Sequence, residues 1–160
     1  MDHLTPRKMF RCNAVFRTRS TLKPDALIDY CLVRDNNFVL PTVATLESYS
    51  VIVSTCGNAS FPYNIGMKVG HFTHIIVDEA GQATEPEVLT AIKAIVGDDT
   101  RVVLSGDPKQ LGPVIRSSIA RDLGLGKSYL ERLMERPPYN AQTGRGRSCV
   151  LYSSACTIND

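Results

Sequence analysis

The apolar positions of this chain fall into two kinds of run. Between Thr84 and Val96, the residues Val88, Leu89, Ile92, Ile95 and Val96 recur at helical spacing, and Glu85, Pro86 and Glu87 stand in the first turn. Proline costs no hydrogen bond there, and carboxylates favour the positive end of a helix, so the spacing predicts a helix over 84–96. An unbroken aliphatic run stands on each side: Ile75-Ile76-Val77 before it and Val102-Val103-Leu104 after it. Short β-branched runs bounded by turn residues read as strands buried on both faces. Strand, helix, strand is a right-handed βαβ unit, which places the loops after both strands on the same sheet edge.

The remaining pattern is weaker. Met9–Val15 reads as a short strand. Leu27, Ile28, Cys31 and Leu32 are at helical spacing within Asp25–Val33, and Asp35-Asn36-Asn37 is a turn signal. Pro41–Tyr49 reads as a short helix with Leu46 and Tyr49 inward, and Val51–Val53 as another buried strand. Asn58–Gly70 is a loop. Val114–Leu123 and Lys127–Arg136 read as helices, the second with Tyr129, Leu130, Leu133 and Met134 on one face and Pro137-Pro138 ending it.

Chemistry enters at the ends of the two strongest strands. Asp78 and Glu79 follow Val77 directly. Carboxylates at the C-terminal end of a buried strand lie where open α/β sheets bind ligands. A hard cation such as Mg²⁺ takes one or two carboxylates plus substrate phosphates, which suits Asp78. Glu79 points elsewhere and can orient and deprotonate a water. The second strand leads into Gly106, suited to a tight turn, then Asp107, and then Gln110, whose amide both donates and accepts and so can read a γ-phosphate or a lytic water. A solvated acidic turn is the plain alternative for Asp78-Glu79 alone; the repeat of the design after the second strand argues against it.

Asp78-Glu79-Ala80-Gly81-Gln82 and Gly106-Asp107-Pro108-Lys109-Gln110-Leu111-Gly112-Pro113 resemble motifs II and III of superfamily 1B helicases of the Upf/Nam-seven type. The flanks 69–74, 83–87 and 124–134 resemble the Armitage/Mov-ten-like RNA helicases. The resemblance runs from about Met9 to Tyr139. It implies an α/β fold, a partial RecA-like P-loop NTPase domain with a mainly parallel sheet over 1–140, followed by a divergent, disordered tail over 141–160. It implies ATP and Mg²⁺ as cofactors, with Asp78, Glu79, Ala80, Gly81 and Gln110 at the nucleotide. Gly106, Asp107 and Pro108 would couple hydrolysis to movement on single-stranded RNA. Ser54 and Thr55, at the end of the strand over 51–53, would touch the RNA backbone; hydroxyls of this kind serve equally well to cap a strand end. The implied setting is cytoplasmic, in silencing or decay ribonucleoprotein complexes and granules, with no membrane role.

Composition narrows this only slightly. A chain of 160 residues, 43% hydrophobic and 21% charged, suits one domain with a core. A net charge of +2 is too small to argue for nucleic acid alone. Six Lys or Arg against one Asp over 1–23 read as a solvated face. The five cysteines include no C-x-x-C pair, which argues against zinc and for free thiols in a reducing compartment. No secretory signal and no membrane-length apolar run is expected. His71 and His74 read as structural.

Gly124-Leu125-Gly126-Lys127-Ser128 looks like the end of a P-loop. The full pattern, however, needs glycine at 121, where Arg121 stands, and a preceding strand, where a helix is expected. No other P-loop lies within the 160 residues. Two readings therefore stand: a fragment of an ATP-dependent RNA helicase, inactive by itself for want of motif I and a second domain, or a non-catalytic interaction or ribonucleoprotein module retaining part of the fold.

Overall fold

A computed structural model of the chain describes residues 5–14, 17–22, 25–107, 110–137, 139 and 155–158. The chain opens with strand β1 (Met9–Arg11). The segment expected as a helix over Asp25–Val33 is a 3₁₀ turn, Asp25–Tyr30, followed by strand β2 (Leu32–Arg34). β2 pairs antiparallel with β3 (Asn37–Val39). Asp35 and Asn36, at φ 48° and 62°, make the tight hairpin turn, a backbone these two residue types tolerate.

Helix α1 (Val43–Glu47) starts at Thr42, whose hydroxyl accepts the Thr45 amide at 3.3 Å. Strand β4 (Val51–Val53) pairs in parallel with β1. Leu46, Phe10, Cys12 and Met67 form one buried cluster beneath this pair, and Tyr49 packs on Phe10 with ring centroids 5.4 Å apart. Helix α2 (Phe61–Asn64) lies in the segment expected as loop.

The predicted βαβ unit follows. Strand β5 (His74–Val77) pairs in parallel with β6 (Arg101–Ser105), with helix α3 (Glu85–Lys93) between them in sequence. Helix α4 (Ser118–Asp122) is shorter than the predicted 114–123, because Ser117 caps it by accepting the Ala120 amide at 3.3 Å; 111–117 are irregular. Helix α5 (Tyr129–Met134) buries Leu130 and Leu133 against Ile75, Val77, Leu104, Val88 and Ile92. Strand β7 (Ala155–Ile158) pairs antiparallel with the other edge of β6. The expectation of a disordered tail otherwise falls outside the described residues.

Burial on both faces does not hold for the strands. Ile75 and Val77 are buried beneath α3 and α5, whereas Ile76 is 70% exposed. Val53 is 45% exposed. The helices that cover the sheet lie on one face, so alternate side chains on the other face meet solvent. Among the described residues the strands fall into three sheets, β1-β4, β2-β3 and β5-β6-β7.

Candidate functional site

The site is built on the two parallel strand ends. β5 stops at Val77, and Asp78 and Glu79 follow as exposed residues in a turn. Glu79 has φ 52°, a left-handed backbone that costs a non-glycine residue about 1–2 kcal/mol. Four hydrogen bonds hold it there. Asp78 Oδ1 accepts the Glu79 amide at 3.0 Å, and the Glu79 carbonyl accepts the Gln82 amide at 2.9 Å. Gln82 Nε2 donates to Glu79 Oε2 at 3.1 Å, and the Ala80 amide donates to the Ser105 carbonyl at 2.7 Å. Strain fixed by its surroundings is a recurrent mark of functional positions.

The Ala80–Ser105 bond also ties the carboxylate turn to the loop after β6. Gly106, at φ 153°, lies so close that an added Cβ would stand 3.1 Å from the amide nitrogens of both Ala80 and Gly81. Ala80 and Gly81 are themselves buried. Ala80 thus acts as the anchor of the turn, with its amide already engaged. Asp107 accepts the Gln110 amide on its carbonyl at 3.2 Å and Gln110 Nε2 on Oδ2 at 3.4 Å, which holds exposed Gln110 back over its own loop. Pro108 lies outside the described residues.

Ser54 and Thr55 are exposed at the end of β4 and share a cavity of about 770 Å³ with Asp78. Glu79, Gly106, Asp107 and Gln110 do not line it. The structure therefore brings together the carboxylate turn and the Gly106 loop on one side, and Asp78 with the two hydroxyl residues on another. Asp78 Oδ2 has no hydrogen-bond partner among the described residues, and an exposed carboxylate of this kind fits the demand of Mg²⁺ for one protein ligand beside phosphates and waters. Gln82 and Ser105, which hold the turn in place, were not singled out from the sequence. A glutamine three residues after a carboxylate in a turn was the available signal for the first.

At the start of α3, Glu87 Oε2 accepts both the amide of Thr84 at 2.8 Å and its hydroxyl at 2.7 Å. These bonds hold the Glu87 carboxyl below its ordinary range. The Cys56 thiol nearby is pushed up, first by burial and then by Glu87.

The P-loop look-alike is a helix start. Ser128 is 2% exposed, caps α5 and accepts the Glu131 amide at 3.1 Å. Lys127 pairs with Glu135, and the segment before it is α4 and a turn, not a strand. His71 and His74 are exposed; His74 Nδ1 bonds the Thr73 hydroxyl, and His71 meets the Phe72 ring edge-on. No group of three His, Cys, Asp or Glu side chains converges among the described residues.

Residues 35–118 match the AAA domain family. The chain is 43% identical to RNA helicase Mov10l1 of Mus musculus over 148 residues, covering 92% of this chain and 12% of that protein. It is 43% identical to the probable RNA helicase armi of Drosophila melanogaster over 100 residues, 62% of this chain and 8% of that one. It is 32% identical to the putative helicase MOV-10 of Gallus gallus over 157 residues, 91% of this chain and 16% of that one. The chain thus spans about an eighth of the length of the Mov10l1 relatives it matches. With motif-bearing strands in parallel, their end loops in contact and these relatives, the chain belongs to the superfamily 1B helicases, in the branch of the Mov10 and Armitage proteins, and carries part of a RecA-like domain.

Proposed function

We propose that this chain contributes the metal, water and coupling elements of an ATP-dependent RNA helicase that moves along single-stranded RNA in cytoplasmic silencing or decay complexes. The contact between the two loops carries the reading: the Ala80–Ser105 bond and the close approach of Gly106 bind the carboxylate turn to the Gly106–Asp107 segment, so a change at one is felt at the other. Asp78 would hold Mg²⁺, which supplies charge neutralisation at the phosphates when bound. Glu79, aimed by its left-handed backbone and by Gln82, would take the proton of the attacking water. Gln110, with Gly106, Asp107 and Pro108, would couple that step to movement, and Ser54 and Thr55 would meet the RNA backbone.

In the full-length helicase, Glu79→Gln is expected to keep ATP binding and lose about 10²–10⁴ in hydrolysis rate, since an amide cannot accept the proton. Asp78→Asn is expected to raise the Mg²⁺ concentration needed for turnover. Normal hydrolysis in Glu79→Gln would remove the role given to Glu79.

A second reading, that the 160-residue chain by itself serves as a non-catalytic module, is favoured by the engagement of Lys127 with Glu135 and of Ser128 in a helix cap. Neither is left to cradle a phosphate. The genomic sequence flanking these 160 codons separates the two: an in-frame P-loop exon supports the first reading, and its absence the second.

A further inference from the structure

The β2-β3 hairpin and the turn before it hold arginines that the helicase chemistry does not use. Residues 17–19 run alongside β3. The Arg19 amide donates to the Asn36 carbonyl at 3.1 Å, the Phe38 amide donates to the Arg17 carbonyl at 3.4 Å, and Thr18 stands opposite Asn37. Asn37 in turn stands opposite Arg34 of β2. Residues directly opposite one another in antiparallel pairs put their side chains on the same face. Thr18 and Arg34 therefore share a face, two strand spacings or about 10 Å apart. Ser20 joins them there, because its Oγ is 3.1 Å from Thr18 Oγ1.

The charge of this region is unbalanced. Arg17, Arg19 and Arg34 form no ion pair among the described residues. The Arg17 guanidinium bonds neutral groups: Thr21 Oγ1 and the Thr21 carbonyl at 3.1 Å each, and Asn13 Oδ1 at 3.4 Å. Positive charges without a carboxylate partner suit an arriving phosphate, which guanidinium groups bind in bidentate fashion. The three hydroxyls of the turn differ in availability. Thr21 Oγ1 donates to the Thr18 carbonyl at 2.7 Å and accepts from Arg17, and Thr18 is half-buried. Ser20 is exposed, and its hydroxyl bonds only that of Thr18 among the described residues. Ser20 also follows Arg17 by three residues and Arg19 by one. Protein kinases choose substrates by such charge patterns, and an acidic substrate cleft selects this one. The turn is three residues long, and its end is anchored by Leu22, which is 2% exposed. So short a turn opens locally to enter a kinase cleft without unfolding the chain.

We propose that Ser20 is a phosphorylation site for an arginine-directed serine kinase, and that Arg34 holds the phosphate once it is made. In the transfer, Ser20 Oγ attacks the γ-phosphorus of the kinase's ATP. The bond from that phosphorus to the β–γ bridging oxygen breaks, the hydroxyl proton passes to the kinase's catalytic carboxylate, and ADP leaves. The phosphoserine carries about −1.5 to −2 charge on the face that Arg34 shares, and so staples the turn to the hairpin. The inference does not depend on the nucleotide chemistry of Asp78 and Glu79.

The test incubates the whole chain with ATP and an arginine-directed serine kinase whose activity is checked on a standard arginine-bearing peptide. One phosphate per chain is expected, placed on Ser20 by fragment mass spectrometry. Incorporation is expected to fall by about tenfold or more in Ser20→Ala and in Arg17→Gln. In a ³¹P NMR titration of the phosphorylated chain, the second ionisation is expected below its ordinary value of about 6, and Arg34→Gln is expected to raise it by about half a unit. A chain left bare while the peptide is phosphorylated, phosphate on a residue other than Ser20, or equal incorporation in Arg17→Gln would overturn the site. An unchanged titration in Arg34→Gln would overturn the clamp. The phosphate is located on the unaltered chain, so no variant has to fold for that result to count.

Discussion

Glu79 carries two loads that separate under substitution. Its carboxylate was legible from its place after an aliphatic run, but its left-handed backbone was not: glutamate has no preference for φ 52°, and the conformation is imposed by Asp78, Gln82 and Ser105. Glu79→Gly relieves that strain and Glu79→Ala does not. In urea denaturation the glycine variant is expected to be at least as stable as the alanine variant, by up to about 1 kcal/mol, the reverse of the usual order at an exposed position. An alanine variant more stable than the glycine variant would show the strain to be absent in solution. Cys12 gives a second test at this scale. Burial, and then Cys31, pushes its thiol up to about 11. The folded chain keeps this proton after the unfolded chain has released it, so stability is full below the ordinary thiol range and falls as pH rises through that range to about 11. Cys12→Ala is expected to flatten this alkaline slope; an unchanged slope would place its origin elsewhere.

At the scale of elements, the sequence was most legible where independent signals agreed. α3 has apolar spacing, acidic residues in the first turn and a cap, and all agree. Its start is held by Glu87, and Glu87→Ala is expected to cost about 1 kcal/mol at neutral pH. That contribution is present above the ordinary carboxylate range and is lost as pH falls through the lowered folded value, so wild type and variant should converge in acid. A gap that persists at low pH would assign the effect to something other than the carboxylate. The hairpin β2-β3 was misread because Leu27, Ile28, Cys31 and Leu32 satisfy helical spacing, although Asp35-Asn36 already suited a turn with both residues left-handed. Two signals competed, and pairing with Asn37–Val39 decided between them. The Gly106 loop extends the argument to coupling. Gln110 is held over its own loop by Asp107, away from the cavity that Asp78 lines. In the full-length helicase, Gln110→Ala is expected to lower RNA-stimulated hydrolysis with little change in nucleotide affinity. A large loss of affinity with stimulation intact would count against a coupling role.

At the scale of the whole molecule, burial depends on neighbours that no local pattern reports. Ile76 reads as core from its run, yet it is 70% exposed, and β4 and β5, which both line one cavity, are not paired with each other among the described residues. The same incompleteness governs activity. Nucleotide affinity in P-loop enzymes rests on backbone amides and a lysine around the phosphates. Here the lysine in a glycine setting is tied to Glu135 beside the capped start of α5, and Asp78 and Glu79 offer only a metal ligand and a base. The 160-residue chain is therefore expected to bind ATP no better than millimolar, to release phosphate at background rate with or without single-stranded RNA, and to associate through its open edges at high concentration. A phosphate-release assay on the purified chain, beside Lys127→Ala, decides this. Turnover that RNA stimulates and Lys127→Ala abolishes would make 124–128 the phosphate site, and would require Lys127 to leave Glu135 when nucleotide arrives.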